Sequence, residues 1–283
     1  MYTQSITRAH RTAFLIALDQ SGSMAETLTF LGRPMTKADA VAEVTDALLF
    51  ELIERAHRSD GVRNYYDIAL LGYSGDGIQP LLGETDFVTV NQLALLPPKM
   101  RTLLVERRLP DGSPALHRIT MPSRVTPRAS GQTPMFEALL HVRDLAATWC
   151  AKPENADSFP PVIFNATDGE ASDCDEEELR EVASEIQNLH TNDGNVLLMN
   201  IHITTGETTR SLLFPTREEI ASAGRYAQLL YDCSSEMPRC FDQTIRELRG
   251  GNALPPFRGL CYNASITELA SIFNIGSISI PIH

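Results

Sequence analysis

The sequence predicts an α/β protein whose core is a doubly wound, mostly parallel sheet with helices on both faces. Apolar runs of strand length alternate along the chain with segments whose apolar residues recur at spacings of three and four. The first strand, helix and strand fit within about sixty residues, which is the βαβ pattern. Because such crossovers are right-handed, the strands that they join are parallel.

The first predicted strand is an uncharged run from Thr12 to Leu18, as expected of a strand that is buried on both faces. A helix capped by Thr36 follows and ends near His57. Further buried strands are predicted at residues 65–73, 161–166 and 195–203, and further helices at residues 134–148, 175–190, 216–223, 237–249 and 263–274.

Weaker patterns complete the predicted fold. Residues 26–34 are expected to be irregular, and residues 228–232 to form a short strand. Asp173 and Glu176 have the spacing of a capping box for the helix at 175–190. The predicted sheet has six strands, one of which, at residues 78–82, is an antiparallel edge strand.

Residues 76–129 interrupt the alternation and are predicted to be an insertion. Extended runs at 102–109 and 115–120 flank the Pro-Asp-Gly-Ser sequence at 110–113, which indicates a β-hairpin. About fifty residues with few large apolar groups could barely support a core of their own. We therefore predict that residues 1–283 form a single domain that carries this insertion.

Composition limits the classes of partner and compartment. The chain has 24 Lys and Arg against 36 Asp and Glu, a formal charge of −12 that repels phosphate backbones and anionic lipids. Its five cysteines are an odd number without a C-x-x-C pair, which favours reduced thiols. No run approaches the roughly 20 apolar residues of a membrane span. We expect a cytoplasmic protein that binds neither nucleic acid nor membrane.

Three polar clusters fall at predicted strand ends or in the loops beside them. The first contains Asp19, Ser21 and Ser23, the second Thr133, and the third Asp168. In an open parallel sheet, ligands bind outside the carboxyl ends of the strands, so these clusters are expected to meet. Two carboxylates and three hydroxyls are an all-oxygen donor set, which suits Mg²⁺ or Mn²⁺ and does not suit zinc.

The combination of these motifs resembles a known site. Its parts are Asp-x-Ser-x-Ser after a buried strand, a threonine at the start of a later helix, and Asp-Gly after a third strand. It is the metal-ion-dependent adhesion site of von Willebrand factor A (vWA) domains, which have a Rossmann-like fold. The match in order and spacing covers roughly residues 12–205. The resemblance implies that Ser21, Ser23 and Thr133 are direct or near-direct metal ligands, and that Asp19 and Asp168 act partly through water.

The resemblance also implies a function. In the family, a carboxylate from a partner protein completes the metal's coordination, so the site recognises proteins and does not catalyse a reaction. The layout further resembles stand-alone bacterial members, similar to those associated with tellurite resistance. Such domains work beside protein kinases and phosphatases in stress responses, which makes a stress or signalling system the expected setting.

An enzyme is the alternative that the sequence leaves open. A Mg²⁺-dependent phosphatase or phosphotransferase of the haloacid dehalogenase class also begins with an apolar strand that ends in aspartate, and Asp19 would be its nucleophile. That chemistry needs a second aspartate two positions later as acid and base, where this chain has Ser21. We therefore expect no catalysis.

Each polar cluster also has a purely structural explanation. Asp19 and the serines could satisfy a turn, and Thr133 could cap a helix. Arg124 and Arg128 precede the Thr133 loop and are either partner-binding groups above the metal or solvated loop arginines.

Overall fold

The structure is a computed structural model that describes residues 2–30, 33–108, 114–204, 211–250 and 253–278. The strands in these ranges are, in chain order, β1 (Thr12–Asp19), β2 (Thr27–Phe30), β3 (Arg33–Thr36), β4 (His57–Arg58), β5 (Gly61–Val62), β6 (Tyr66–Ser74), β7 (Gly77–Pro80), β8 (Val88–Thr89), β9 (Lys99–Arg108), β10 (Pro114–Ser123), β11 (Val162–Thr167), β12 (Leu197–Ile203), β13 (Leu212–Leu213) and β14 (Leu260–Ala264). The helices are α1 (Lys37–Ala56), α2 (Val90–Leu95), α3 (Met135–Cys150), α4 (Glu176–Asn188), α5 (Arg217–Ile220), α6 (Arg225–Cys233), α7 (Asp242–Leu248) and α8 (Ile266–Ile278).

The central sheet has the strand order β13-β14-β12-β11-β1-β6-β7, and β8 also pairs with β6. The inner strands β14, β12, β11, β1 and β6 are parallel, while β7, β8 and β13 are antiparallel. The predicted α/β class is confirmed. The predicted antiparallel edge strand at residues 78–82 corresponds to β7 and is confirmed. The predicted number of six strands is too low, because the antiparallel strands β8 and β13 also join the sheet.

Strand order reverses beside β1. The chain passes from β1 to β6 on one side and later reaches β11 on the other. At such a switch point the connections leave in opposite directions and open a crevice outside the carboxyl ends of the strands. Asp19 and Thr167 are the last residues of β1 and β11 and therefore lie at the floor of this crevice.

Side chains of β1 alternate between two apolar cores, one on each face of the sheet. Phe14, Ile16 and Leu18 belong to the core beneath α1 and α8. Ala13, Leu15 and Ala17 belong to the opposite core, beneath α3 and α4. All eight residues of β1 are buried, so the strand that carries Asp19 is fixed from both sides.

The predictions of an irregular segment at residues 26–34 and of a strand at residues 228–232 are wrong, because the elements formed there are short. Residues 27–30 and 33–36 pair as the antiparallel strands β2 and β3, and this two-stranded ladder tolerates Pro34. Residues 228–232 belong to α6, whose buried Ala227, Leu230 and Tyr231 recur at helical spacing. A short apolar run does not distinguish a buried helix from a strand.

Two further differences concern helix ends and the last strand. The N-cap of α4 is Asp175, whose capping-box partner is Glu178, so the box predicted at Asp173 and Glu176 is wrong. Asp173 instead accepts hydrogen bonds from backbone N–H groups in the first turn of α3. Strand β14 was not predicted, because it is short and its polar Asn263 breaks the apolar pattern.

The insertion at residues 76–129 is only partly separate from the sheet. Its strands β7 and β8 pair with β6. Strands β9 and β10 pair with each other over ten positions and form the predicted hairpin. The predicted turn at 110–113 lies outside the described residues.

Two further findings concern the helices and the cysteines. No helix within the described ranges is both long and apolar enough to cross a membrane. All five cysteines lie in these ranges, and none forms a disulfide.

Candidate metal centre

Asp19 lies at the floor of the crevice, and only 2% of its surface is exposed. Its Oδ1 accepts a hydrogen bond from the Ser21 backbone N–H at 2.8 Å. Its Oδ2 accepts another from the Thr167 hydroxyl at 2.8 Å. Both donors are neutral, and no Lys, Arg or His side chain of the described residues lies within ion-pair distance of the Asp19 carboxylate.

Burial decides the electrostatics of Asp19. Desolvation raises the pKa of this carboxyl, the hydrogen bonds from Ser21 and Thr167 counter the shift, and the nearby charge of Asp168 adds to it. The ionised form of Asp19 is therefore costly in the absence of a cation.

The two serines connect Asp19 to Asp168. The chain leaves β1 into a 3₁₀ turn at Gly22–Ala25, which brings the Ser21 and Ser23 hydroxyl oxygens to 3.0 Å from each other. The Ser23 hydroxyl donates to Asp168 Oδ1 at 2.6 Å. Ser21 is buried and Ser23 is exposed, so the cluster reaches from the sheet to the surface.

Thr133 arrives on a loop that is held against the β1 turn. The Gly22 N–H donates to the Gly131 carbonyl at 3.0 Å. Gly131 has φ +70°, and a Cβ at this residue would lie 2.6 Å from the Gly75 Cα. Only glycine permits both this conformation and this close approach. The loop therefore brings Thr133 to the crevice just before α3.

A second contact fixes Thr133 from the side of β11. Its backbone N–H donates to the Ser172 hydroxyl at 3.1 Å, and its carbonyl accepts from the Ser172 N–H at 3.0 Å. Its Oγ1 lies 3.9 Å from the point where a Cβ on Gly169 would stand. Thr133 is thus a neighbour of the Asp168-Gly169 turn, as the sequence predicted.

Asp168 holds the one cation in the described part of the site. Its side chain is fully buried, and its Oδ2 accepts a hydrogen bond from the Lys37 ammonium at 2.8 Å. The same ammonium lies 2.7 Å from Glu26 Oε2. Burial lowers the pKa of Lys37, but the hydrogen bonds and charges of Asp168 and Glu26 outweigh it and raise that pKa above its usual value.

Sequence reasoning missed Lys37, although one signal was present. Lys37 is the first residue of α1, directly after the N-cap Thr36, whose hydroxyl accepts from the Asp39 N–H. A positive charge in the first turn opposes the helix dipole, so a lysine at this position needs an anionic partner.

The donor set fits a small, hard divalent cation. Oxygen ligands about 2.1 Å from an octahedrally coordinated Mg²⁺ lie about 3.0 Å from one another, and the Ser21 and Ser23 oxygens have this separation. Among the described residues, no three His, Cys, Asp and Glu side chains come together as a metal site. The candidate centre has two carboxylates and three hydroxyls, so it differs in ligand type from zinc sites, which use Cys and His.

The surroundings of the centre include a cleft, a tyrosine and an arginine. A cleft of about 710 Å³ is lined by Glu170 and Tyr226 among other residues. The Tyr226 hydroxyl donates to the Gly169 carbonyl at 2.5 Å, which ties α6 to the turn that carries Asp168. Arg128 hydrogen-bonds Gln79 at 2.8 Å, so its guanidinium is engaged within the insertion.

No protein-family model matches the sequence, and no curated protein does so either. Several solved structures are similar to the chain. The vWF domain of the type V pili tip protein Mfa5 from Porphyromonas gingivalis is 12% identical, with 99% of this chain and 98% of that chain covered and a TM-score of 0.46. A von Willebrand factor type A protein from Catenulispora acidiphila is 14% identical, with 69% of this chain covered and a TM-score of 0.43. The match spans 34% of that longer chain.

Proposed function

We propose that this protein is a Mg²⁺- or Mn²⁺-dependent protein-binding module. One observation carries the proposal: Asp19 is a buried carboxylate without a cationic partner among the described residues, and oxygen donors surround it. Burial raises the free energy of the ionised form of such a group, and a cation beside it would lower that free energy. Asp19, Ser21, Ser23, Thr133 and Asp168 would hold the ion, which would supply positive charge at the mouth of the crevice.

The proposed ion indicates which chemical group of a partner would bind here. Two carboxylates and three hydroxyls leave a divalent cation electrophilic, so a further anionic ligand from outside would bind strongly. The resemblance to vWA domains supports a carboxylate of a partner protein in this role. By the same resemblance, we place the protein in the bacterial cytoplasm, in a stress or signalling system with kinase or phosphatase partners.

Metal dependence can be tested by thermal unfolding in chelator and in Mg²⁺ or Mn²⁺. An ion at a hundredfold excess over its Kd stabilises the folded state by about 2.7 kcal/mol, so the melting temperature rises. Thr133→Ala removes one ligand and reduces this rise. Thr216→Ala is the matched control, because its hydroxyl caps α5 away from the crevice and its loss leaves the rise unchanged. An identical melting temperature with and without either metal would contradict the proposal.

Two assays test the partner and the absence of catalysis. Binding of aspartate- or glutamate-containing peptides should require the metal and disappear with chelator. No phosphate should be released from an aryl phosphate in Mg²⁺. If phosphate were released and Asp19→Asn abolished the release, a phosphatase that uses Asp19 as its nucleophile would replace the binding module.

A further inference from the structure

Lys37 is a buried lysine whose ammonium lies between two carboxylates. Its side chain is 5% exposed, and it bonds Asp168 Oδ2 at 2.8 Å and Glu26 Oε2 at 2.7 Å. Glu26 is largely exposed, whereas the Asp168 side chain is fully buried. The lysine therefore neutralises a carboxylate that has no access to water.

The position of Lys37 makes a purely local role difficult to explain. A positive charge in the first turn of α1 is unfavourable because of the helix dipole, and burial of the ammonium adds a desolvation cost. Both costs are offset by carboxylates outside the helix. One of them, Asp168, belongs to the candidate metal centre.

The charges around the centre are complementary to a divalent ion. Asp19, Asp168 and Glu26 are three carboxylates, and among the described residues Lys37 is the one ammonium beside them, in contact with Asp168 and Glu26. Together they leave two negative charges, which one divalent cation balances. Without Lys37 the centre would carry three negative charges and would attract the cation more strongly.

We propose that Lys37 is an internal counter-ion that weakens and tunes metal binding at this centre. It occupies Oδ2 of Asp168, so that Oδ1, which faces Ser23, is the oxygen available to the ion. It also keeps the Asp168 turn in place when no metal is bound. Glu26 bonds the ammonium from the solvent side and reduces the effect of its charge on metal affinity. This inference rests on the proposed metal site and deepens it.

Lys37→Met tests the proposal, because methionine keeps the length of the side chain and removes the charge. The metal-free melting temperature should fall, since Asp168 loses its cation. The Kd for Mn²⁺, measured by titration with electron paramagnetic resonance or calorimetry, should tighten about tenfold or more. A merely structural lysine would lower the melting temperature and leave the Kd unchanged. Lys152→Met is the matched control, because Lys152 is exposed outside the centre.

Glu26→Gln gives an independent test that does not threaten the core. Lys37 then interacts with Asp168 alone, so the Kd for Mn²⁺ should weaken several-fold. In the Lys37→Met background the same substitution should have a smaller effect, because Glu26 acts largely through the ammonium.

The outcomes separate this inference from the proposed function. If the wild-type protein binds Mn²⁺ and Lys37→Met binds it equally or more weakly, the counter-ion role is wrong while the metal site stands. An unchanged Kd in Glu26→Gln would also overturn it. Failure of the wild-type protein to bind either Mg²⁺ or Mn²⁺ would overturn both.

Discussion

Asp19 and Asp67 are two buried aspartates on the neighbouring strands β1 and β6, at opposite ends. Asp19 pairs in register with Tyr73, and Asp67 pairs with Ala13. Their exposed fractions are 2% and 6%. The two carboxylates thus share a sheet and a degree of burial, yet the protein surrounds them differently.

Asp67 has a complete set of partners. Its Oδ1 accepts from the Arg11 guanidinium at 3.0 Å, and its Oδ2 accepts from the Trp149 indole N–H at 2.9 Å. Asp19 has two neutral donors and no cation among the described residues. The comparison indicates that the sheet can neutralise a buried carboxylate within the chain. At the crevice the described residues supply no such cation to Asp19, and the proposed metal ion would take this role.

Removal of Asp67 should have the largest effect on stability. Asp67→Ala leaves the Arg11 guanidinium and the Trp149 N–H without their acceptor in a buried site. Breaking one side of such a pair costs about 3 kcal/mol of unfolding free energy. Denaturant unfolding should show this loss in chelator and in Mg²⁺ alike. The increase in unfolding free energy that the metal causes should be unchanged. A loss of the metal response would mean that the two ends of the sheet are coupled.

Replacement of Asp19 should have a smaller effect that depends on the metal. Asp19→Asn keeps the shape and removes the charge, and the Thr167 hydroxyl can then donate to the Gly169 carbonyl, 3.0 Å away. Because an unpaired buried charge is removed, the unfolding free energy in chelator should stay equal or rise.

The metal response of Asp19→Asn should be lost. The unfolding free energy of the wild-type protein should rise by about 2.7 kcal/mol at a hundredfold excess of Mg²⁺ over its Kd, and that of the variant should not rise. Denaturant unfolding in chelator and in this excess of Mg²⁺ measures the difference between the two proteins. A variant that is less stable in chelator would show that the Asp19 charge already has a partner within the chain.

The proximity of Asp19, Ser21, Ser23 and Asp168 could be predicted because these residues follow strong local patterns, whereas their role as metal ligands stays a prediction. Asp19, Ser21 and Ser23 follow an uncharged strand, and Asp168 follows another. Parallel strands place such ends at one edge of a sheet, so sequence order alone brings them together.

Lys37 could not be predicted in the same way, because its role depends on a distant contact. It lies 131 residues from Asp168 in the chain, and α1 places it there only through packing on the sheet. The missed elements of the fold have a related cause. Strand β14 and helix α6 are short, so tertiary packing and not periodicity decides their structure.

The smallest effect is expected at Ser23, the exposed member of the cluster. Ser23→Ala removes the hydrogen bond to Asp168 Oδ1 and the contact with the Ser21 hydroxyl. A single hydrogen bond contributes about 1 kcal/mol. Because Ser23 itself is exposed, water can occupy the place of its hydroxyl and bond Asp168 Oδ1 in the variant, so the loss of unfolding free energy in chelator should be at most this value. The Kd for Mn²⁺ should weaken nonetheless, because one hydroxyl ligand is lost. Ser184→Ala on the exposed face of α4 is the control and should change neither quantity. If Ser23→Ala lowered stability in chelator and left the Kd unchanged, the serine would stabilise the turn and would not be a ligand.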